Sequence, residues 1–199
     1  VGSVDVRFLF QLNLATFDFH DVTLKRNNVT VPLDSSVTIS QIGNTSTYRI
    51  SGLAPFTGVA GEFSLSVAGN GVKDTGGHIG NGTASDSWTM DTTPPVVLDI
   101  VDVTPDPRAG SGKSVEFIDV VFSEALSPFD FDIDKISLTR NGGPNLINIP
   151  RYRLSIFNVF GNTYRVGNLS GFTRASGNYE FKVEGGFTDL AGNVAISSA

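Results

Sequence analysis

The sequence predicts an all-β chain built as a tandem pair of antiparallel β-sandwiches. Apolar and polar residues alternate over short runs bounded by Gly, Asn, Pro or Ser, the pattern of half-buried strands joined by turns. The second half of the chain repeats the first in the same order. No segment carries an apolar stripe at helical spacing over about ten residues.

Composition narrows the function classes. The 199 residues include 22 Gly, 9 Pro, 15 Phe, 2 His and no Cys, with 20 acidic against 14 basic side chains for a formal charge of -6. Without cysteine there is no disulfide, thiolate zinc site, iron–sulfur cluster or cysteine nucleophile, so any staple must use oxygen ligands. The acidic balance excludes nucleic acid as the expected partner, because phosphate binding needs clustered Lys and Arg. No apolar run reaches the ~18 residues of a membrane span. A hydrophobic fraction of 40% is enough for packed cores. The start, Val1-Gly2-Ser3-Val4, has no basic region before an apolar one and reads as part of something longer.

The repeat is explicit in the residues. Phe17-Asp18-Phe19 reappears as Phe129-Asp130-Phe131, Leu24-Lys25-Arg26-Asn27 as Leu138-Thr139-Arg140-Asn141, and Thr47-Tyr48-Arg49 as Thr163-Tyr164-Arg165. Leu53, Phe56, Thr57 and Gly61 recur as Leu169, Phe172, Thr173 and Gly177, and Asp74 with Gly77 as Asp189 with Gly192. The offset drifts between 112 and 116 residues, as expected for two copies of one domain with small loop insertions. Asp91-Thr92-Thr93-Pro94-Pro95 marks the joint, where proline holds the chain extended and removes backbone donors. The predicted organisation is repeat one over 1–91, a Pro-rich linker over 92–95 and repeat two over 96–199.

Strands follow from the alternation. In repeat one the alternating sets are Val4, Val6, Phe8 and Phe10; Val37 and Ile39; Tyr48 and Ile50; Phe63, Leu65 and Val67; and a closing stretch at 84–90. In repeat two the predicted strands are 96–103, 115–122, 136–140, 149–156, 163–167, 178–184 and one from 194 onward. About seven strands per hundred residues is the density of an immunoglobulin-like sandwich. Repeat one has no counterpart of 96–103 and repeat two none of 84–90, so each is expected to be one strand short and to leave an edge for a neighbour to cover. With strands alternating in direction, the connections 123–135, 157–162 and 185–193 are expected at the pole that faces the linker.

The run Tyr179-Glu180-Phe181-Lys182-Val183, the turn Asp189-Leu190-Ala191-Gly192-Asn193 and the Asp91-Thr92-Thr93-Pro94-Pro95 joint together resemble the tandem bacterial Ig-like (Big-type) domains of large surface proteins, adhesins and extracellular fibres. Repeat one departs from that pattern at Asp74-Thr75-Gly76-Gly77-His78. The resemblance implies an extracellular or cell-surface location, a load-bearing spacer role and neighbouring repeats as partners, with homopolymeric or lateral self-association. It also implies calcium at the interdomain junction.

Asp130, Asp132 and Asp134 stand at alternate positions, so in an extended segment all three carboxylates point one way while Phe131 and Ile133 point inward. An EF-hand is excluded, because Lys135 occupies its sixth position and Asn141 its twelfth. The run is then either a solvated acidic loop or part of a calcium site of another kind, its ligands drawn from Asp91, Asp130, Asp132, Asp134, Asp189 and Asn193. The repeat-one equivalents are Asp18, Asp21 and Asp74, with His20 breaking the triplet.

The remaining motifs are structural readings. The segment 109–114 imitates a phosphate-binding loop, but Pro107 stands where the first Gly is required and a strand follows in place of a helix. His20 and His78 lie in loops and neither recurs, and no Gly-x-Ser-x-Gly elbow exists, so no enzyme is expected. Four Asn-x-Ser/Thr acceptor patterns, beginning at Asn28, Asn44, Asn81 and Asn168, suit β-domains rich in these residues. Arg151, Arg153 and Arg165 surround Tyr152 and Tyr164 as a basic, solubilising or lateral-contact set. Phe157-Asn158-Val159-Phe160 reads as an apolar loop that packs on a neighbour or holds a ligand. The alternative to a spacer is a calcium-dependent adhesin module that binds glycan or protein through its loops, or a spacer inside a secreted enzyme.

Overall fold

Alternation at Val4 and Val6 produces β1 (Ser3–Arg7), the first strand of a computed structural model that describes residues 1–104, 106–107, 114–147 and 154–196. The chain divides into two units, Val1–Thr92 and Thr93–Ala199. In unit one β1 is followed by β2 (Val22–Arg26), β3 (Val29–Val31), β4 (Thr38–Gln41), β5 (Thr47–Ser51), β6 (Gly61–Ala68) and β7 (Thr83–Met90). They form two antiparallel sheets, β1-β5-β4 and β3-β2-β6-β7. Tyr48 and Ile50 from the first sheet and Leu24, Phe63 and Leu65 from the second are at most 2% exposed and share one core.

Unit two contains β8 (Val97–Ile100), β9 (Phe117–Phe122), β10 (Ile136–Arg140), β11 (Ser155–Phe160), β12 (Thr163–Gly167) and β13 (Tyr179–Val183). Its sheets are β11-β12-β9-β8 and β10-β13, again antiparallel. Val120, Phe122 and Val166 meet Leu138, Val183 and Phe187 between them. The two units share side-chain bonds as well as strand order. Arg49 grips Asp5 through two nitrogens across β1 and β5, at 2.8 and 2.9 Å, and Arg165 grips Asp119 across β9 and β12, both at 2.8 Å. Thr57 Oγ1 donates to the Leu53 and Val1 carbonyls, as Thr173 Oγ1 donates to those of Leu169 and Val115.

The structure corrects several sequence expectations. First, Phe17 is matched by Phe131 and not by Phe129. Phe17 packs edge-on to Tyr48, as Phe131 packs edge-on to Tyr164, while Phe129 is 95% exposed at a positive φ of 65°. The match of Phe-Asp-Phe letters is therefore two residues out of register, and Asp18 corresponds to Asp132. Second, the apolar stretch 157–160 is not a loop. It belongs to β11, which pairs with β12 through a bulge between Asn158 and Phe160, and Arg151 and Tyr152 with Arg153 lie outside the described residues. Third, residues 197–199 lie outside the described residues, and residues 194–196 form no sheet strand. They close a hairpin through the Thr188–Val194 bridge and the bond from Ala195 N–H to the Phe187 carbonyl. The first alternating set also ends early, with Phe10 outside β1 and 62% exposed. Residues 109–113 of the loop read as a phosphate-loop imitation lie outside the described residues.

Gly52 and Asn168 occupy matching places after β5 and β12, both left-handed with φ of 83° and 64°. At Gly52 a Cβ would also press on the Ser36 carbonyl. Gly52→Ala is therefore expected to cost about 2–4 kcal/mol by adding an overpacked contact to a left-handed alanine, measured as a fall in the denaturation midpoint. The same change at Asn168, which already carries a Cβ, should cost about 1 kcal/mol or less.

Candidate functional site

The acidic loop before β10 is not extended. Asp132 takes φ -135° and ψ -172° and accepts the Asp134 N–H at 3.0 Å, which caps a 3-10 turn over Ile133–Lys135. Aspartate is favoured there because its short carboxylate satisfies a backbone donor that the turn leaves over. The expected one-sided display of three carboxylates is thereby broken. Asp134 is exposed, and Asp132 borders a shallow hollow of about 240 Å³ with Phe129, Phe131, Ile133, Leu154 and Ile156. In unit one Asp18 does the same work for Phe19–Asp21. It accepts the His20 N–H, while Asp21 reaches back to the Asp18 N–H at 3.0 Å in a capping box.

Asp130 has a different task. Its carboxylate accepts from the Thr188 N–H and from Thr188 Oγ1, the latter at 2.8 Å, and so ties the acidic loop to the hairpin before Asp189. In unit one Thr16 Oγ1 accepts the Lys73 N–H at 2.9 Å in the matching place. A neutral hydroxyl suffices for that bond, so the charge of Asp130 is additional to it.

The hairpin encloses a carboxylate. Asp189 is 1% exposed and accepts the Asn193 N–H and Asn193 Nδ2, both at 2.8 Å. Ser127 Oγ adds a bond to the Asp189 carbonyl at 2.5 Å. Burial pushes the Asp189 carboxyl up, but the Asn193 side chain and the backbone N–H groups of Asn193, Ala191 and Gly192 outweigh it and hold it below the usual carboxylate range. In unit one Asp74 accepts the His78 N–H and faces His78 Nδ1, both at 2.9 Å, and these two bonds depress it likewise. His78 thus takes over the work of Asn193, so the departure from the Asp-x-x-x-Asn pattern preserves the turn. His20 is likewise bonded to its own loop, through Asp18 at 2.8 Å.

Of the expected metal ligands within unit two, the fold joins Asp189 to Asn193 and brings Asp130 to the residue before Asp189, while Asp132 and Asp134 are engaged in their own turn. Sequence reading missed Glu124, whose carboxylate oxygen lies within 4.8 Å of one of Asp189. Its one signal is the unit-one residue Phe10 at the matching offset, which shows that this acid is peculiar to repeat two. Tyr164, whose hydroxyl oxygen accepts the Leu126 N–H at 3.3 Å, and Tyr48, whose hydroxyl oxygen accepts the Leu12 N–H at 2.6 Å, anchor the loop entering each site.

Strand order, shared core and loop closure define each unit as an Ig-like antiparallel β-sandwich. Among solved structures the chain is similar to the I-band fragment I67-I69 from titin, with 12% identity, a TM-score of 0.34 and coverage of 89% of this chain and 51% of that one. It is also similar to the I9-I11 tandem from titin, with 11% identity, a TM-score of 0.27 and coverage of 100% and 57%. The chain spans a little over half the length of these fragments. No protein-family model matches the sequence, and no curated protein matches it. No helix among the described residues is long and apolar enough to cross a membrane.

Proposed function

We propose that the chain is a structural repeat segment of a long bacterial extracellular fibre, stalk or surface protein, in which it acts as a load-bearing spacer with neighbouring repeats as its partners. The observation that supports this is duplication of the whole plan: the same cross-sheet Arg–Asp clamp, the same threonine anchor and the same Asp-closed hairpin occur once per unit. Stretching single molecules of the parent protein, held by its two ends, tests the reading. A spacer is expected to unfold in equal steps, one per sandwich, and electron microscopy should show rods or filaments. Compact particles would overturn it.

A second reading is a calcium-dependent module that binds glycan or protein. It is supported by the Glu124–Asp189 approach and by the extra charge on Asp130, both hard oxygen donors of the kind calcium takes six to eight at a time. Binding to the native state alone raises stability with ion concentration. Millimolar calcium is therefore expected to raise the melting temperature of the unaltered chain and to have less effect on Glu124→Gln. No shift at that concentration would dispose of calcium as a structural element.

A further inference from the structure

We infer that the outer face of the β11-β12-β9-β8 sheet is a self-association surface, and that its occupant is the same face of a second copy of this chain. Period-two alternation divides each strand between two faces. Ile118, Val120 and Val166 belong to the core, so Phe117, Asp119, Val121 and Arg165 lie on the far side, and Phe157 joins them by pairing with Arg165. Phe117, Phe157 and, opposite Thr163, Phe160 are exposed there. Leu98 and Val159, each at a bulge of an edge strand, are exposed as well. Single apolar residues are normal on a surface, whereas a contiguous group of them marks an interaction site.

Unit one shows that the sandwich does not require such a face. Its equivalent sheet, β1-β5-β4, keeps the same register around the same clamp: Arg49 lies between Asp5 and Ser40, as Arg165 lies between Asp119 and Phe157. At the matched positions Ser3, Ser40 and Arg7 stand where unit two has Phe117, Phe157 and Val121. The surface is therefore polar in one copy of the plan and apolar in the other. Phe117 has a local task, because Arg165 Cζ lies 3.6 Å from its ring centroid in a cation–π contact. That contact does not account for Phe157 or Phe160, which stand exposed on β11.

Charge selects the occupant. Both oxygens of Asp119 accept from Arg165, through Nε and Nη2 at 2.8 Å, so the two central charges are spent on each other between apolar rings. A glycan or a charged peptide needs polar partners for the groups it buries, which this centre does not offer. The same face on another copy does fit. In an isologous contact a patch meets itself, so Arg165 of one copy faces Asp119 of the other and the reverse, with ring against ring around them. Four strands about 4.8 Å apart and about 20 Å long give roughly 400 Å² in projection, short of the ~800 Å² per partner of a standard interface. The dimer is therefore weak, and lateral adhesion between long chains comes from repetition, since one joined pair of faces raises the effective concentration of the next. The self-associating face rests on the fold alone, and its lateral role rests on the repeat reading.

The test is sedimentation equilibrium of the full chain between about 1 and 500 µM, a span that brackets a weak contact. A monomer–dimer equilibrium is expected, at least about tenfold weaker when Phe117→Ser and Phe157→Ser are combined, because two aromatic anchors are lost. These changes install the residue that unit one carries at each place, and melting curves check that both units stay folded. Phe157→Ser alone leaves the Phe117–Arg165 contact in position and should still weaken the dimer. The chain carries a formal charge of -6, so added salt should tighten the dimer or leave it unchanged. Because the chain has no cysteine, Ser155→Cys on this face should give dimers with a short bis-maleimide, while Thr38→Cys at the matched place in unit one should not. The inference is overturned by a monomer at every concentration, by a dimer that the paired serine changes leave intact, by one that salt dissociates, or by equal cross-linking from Thr38→Cys. Such failures leave the spacer reading standing on rods and equal unfolding steps, and compact particles would overturn that reading while the dimer persists.

Discussion

Phe131→Ala is expected to destabilise the second sandwich by about 3–5 kcal/mol, whereas Phe129→Ala should change its stability by no more than about 0.5 kcal/mol. Phe131 is 5% exposed and meets Phe122 and Tyr164 edge-on, at centroid distances of 5.0 and 5.8 Å. Truncating it removes apolar area and leaves a void among aromatic rings that cannot all collapse into it. Phe129 is 95% exposed and loses almost nothing. Chemical denaturation of the two variants measures the difference. Equal effects would show that the Phe-Asp-Phe letters, and not the core positions, align the repeats.

Asp189→Ala should cost about 2–3 kcal/mol, the range for hydrogen bonds to a buried charged acceptor. The substitution leaves the Asn193 N–H and Nδ2 without their acceptor in a nearly enclosed site. Its pH dependence has a definite sign. The folded carboxyl titrates below the unfolded value of about 3.9, so its contribution is present above that pH and is lost as pH falls through the folded value. Asp189→Asn should therefore be less stable than the parent at neutral pH, with the gap narrowing under acid. Asp5, Asp18, Asp34, Asp74 and Asp119 are depressed as well, so acid unfolding of the variant is expected to persist with a smaller slope. Melting curves between neutral pH and about pH 3 test both statements, and a gap that widens on acidification would refute the assignment.

Legibility differed between the core and the site. Alternation alone located β1, β5, β6, β9, β12 and β13, because a half-buried strand must place apolar residues on one face at period two. It failed at 157–160, where β11 carries Phe157, Val159 and Phe160 with exposures of 50%, 45% and 84%. Local hydrophobicity there reports neither burial nor a loop, since it is pairing with β12 that holds the backbone extended. The candidate ligands were legible as residue types and misleading as geometry. An Asp-x-Asp-x-Asp run points one way only in a strand, and Asp132 caps a turn instead.

Duplication and an all-β character were determined by sequence alone, because they depend on local pattern and on its recurrence along the chain. Tertiary structure decided the register of the repeats, the burial of Asp189 and the substitution of His78 for Asn193 in function. Each of these depends on which distant backbone groups come to lie opposite one another. Letters such as Phe-Asp-Phe match at either of two registers, and packing against Tyr48 and Tyr164 selects between them.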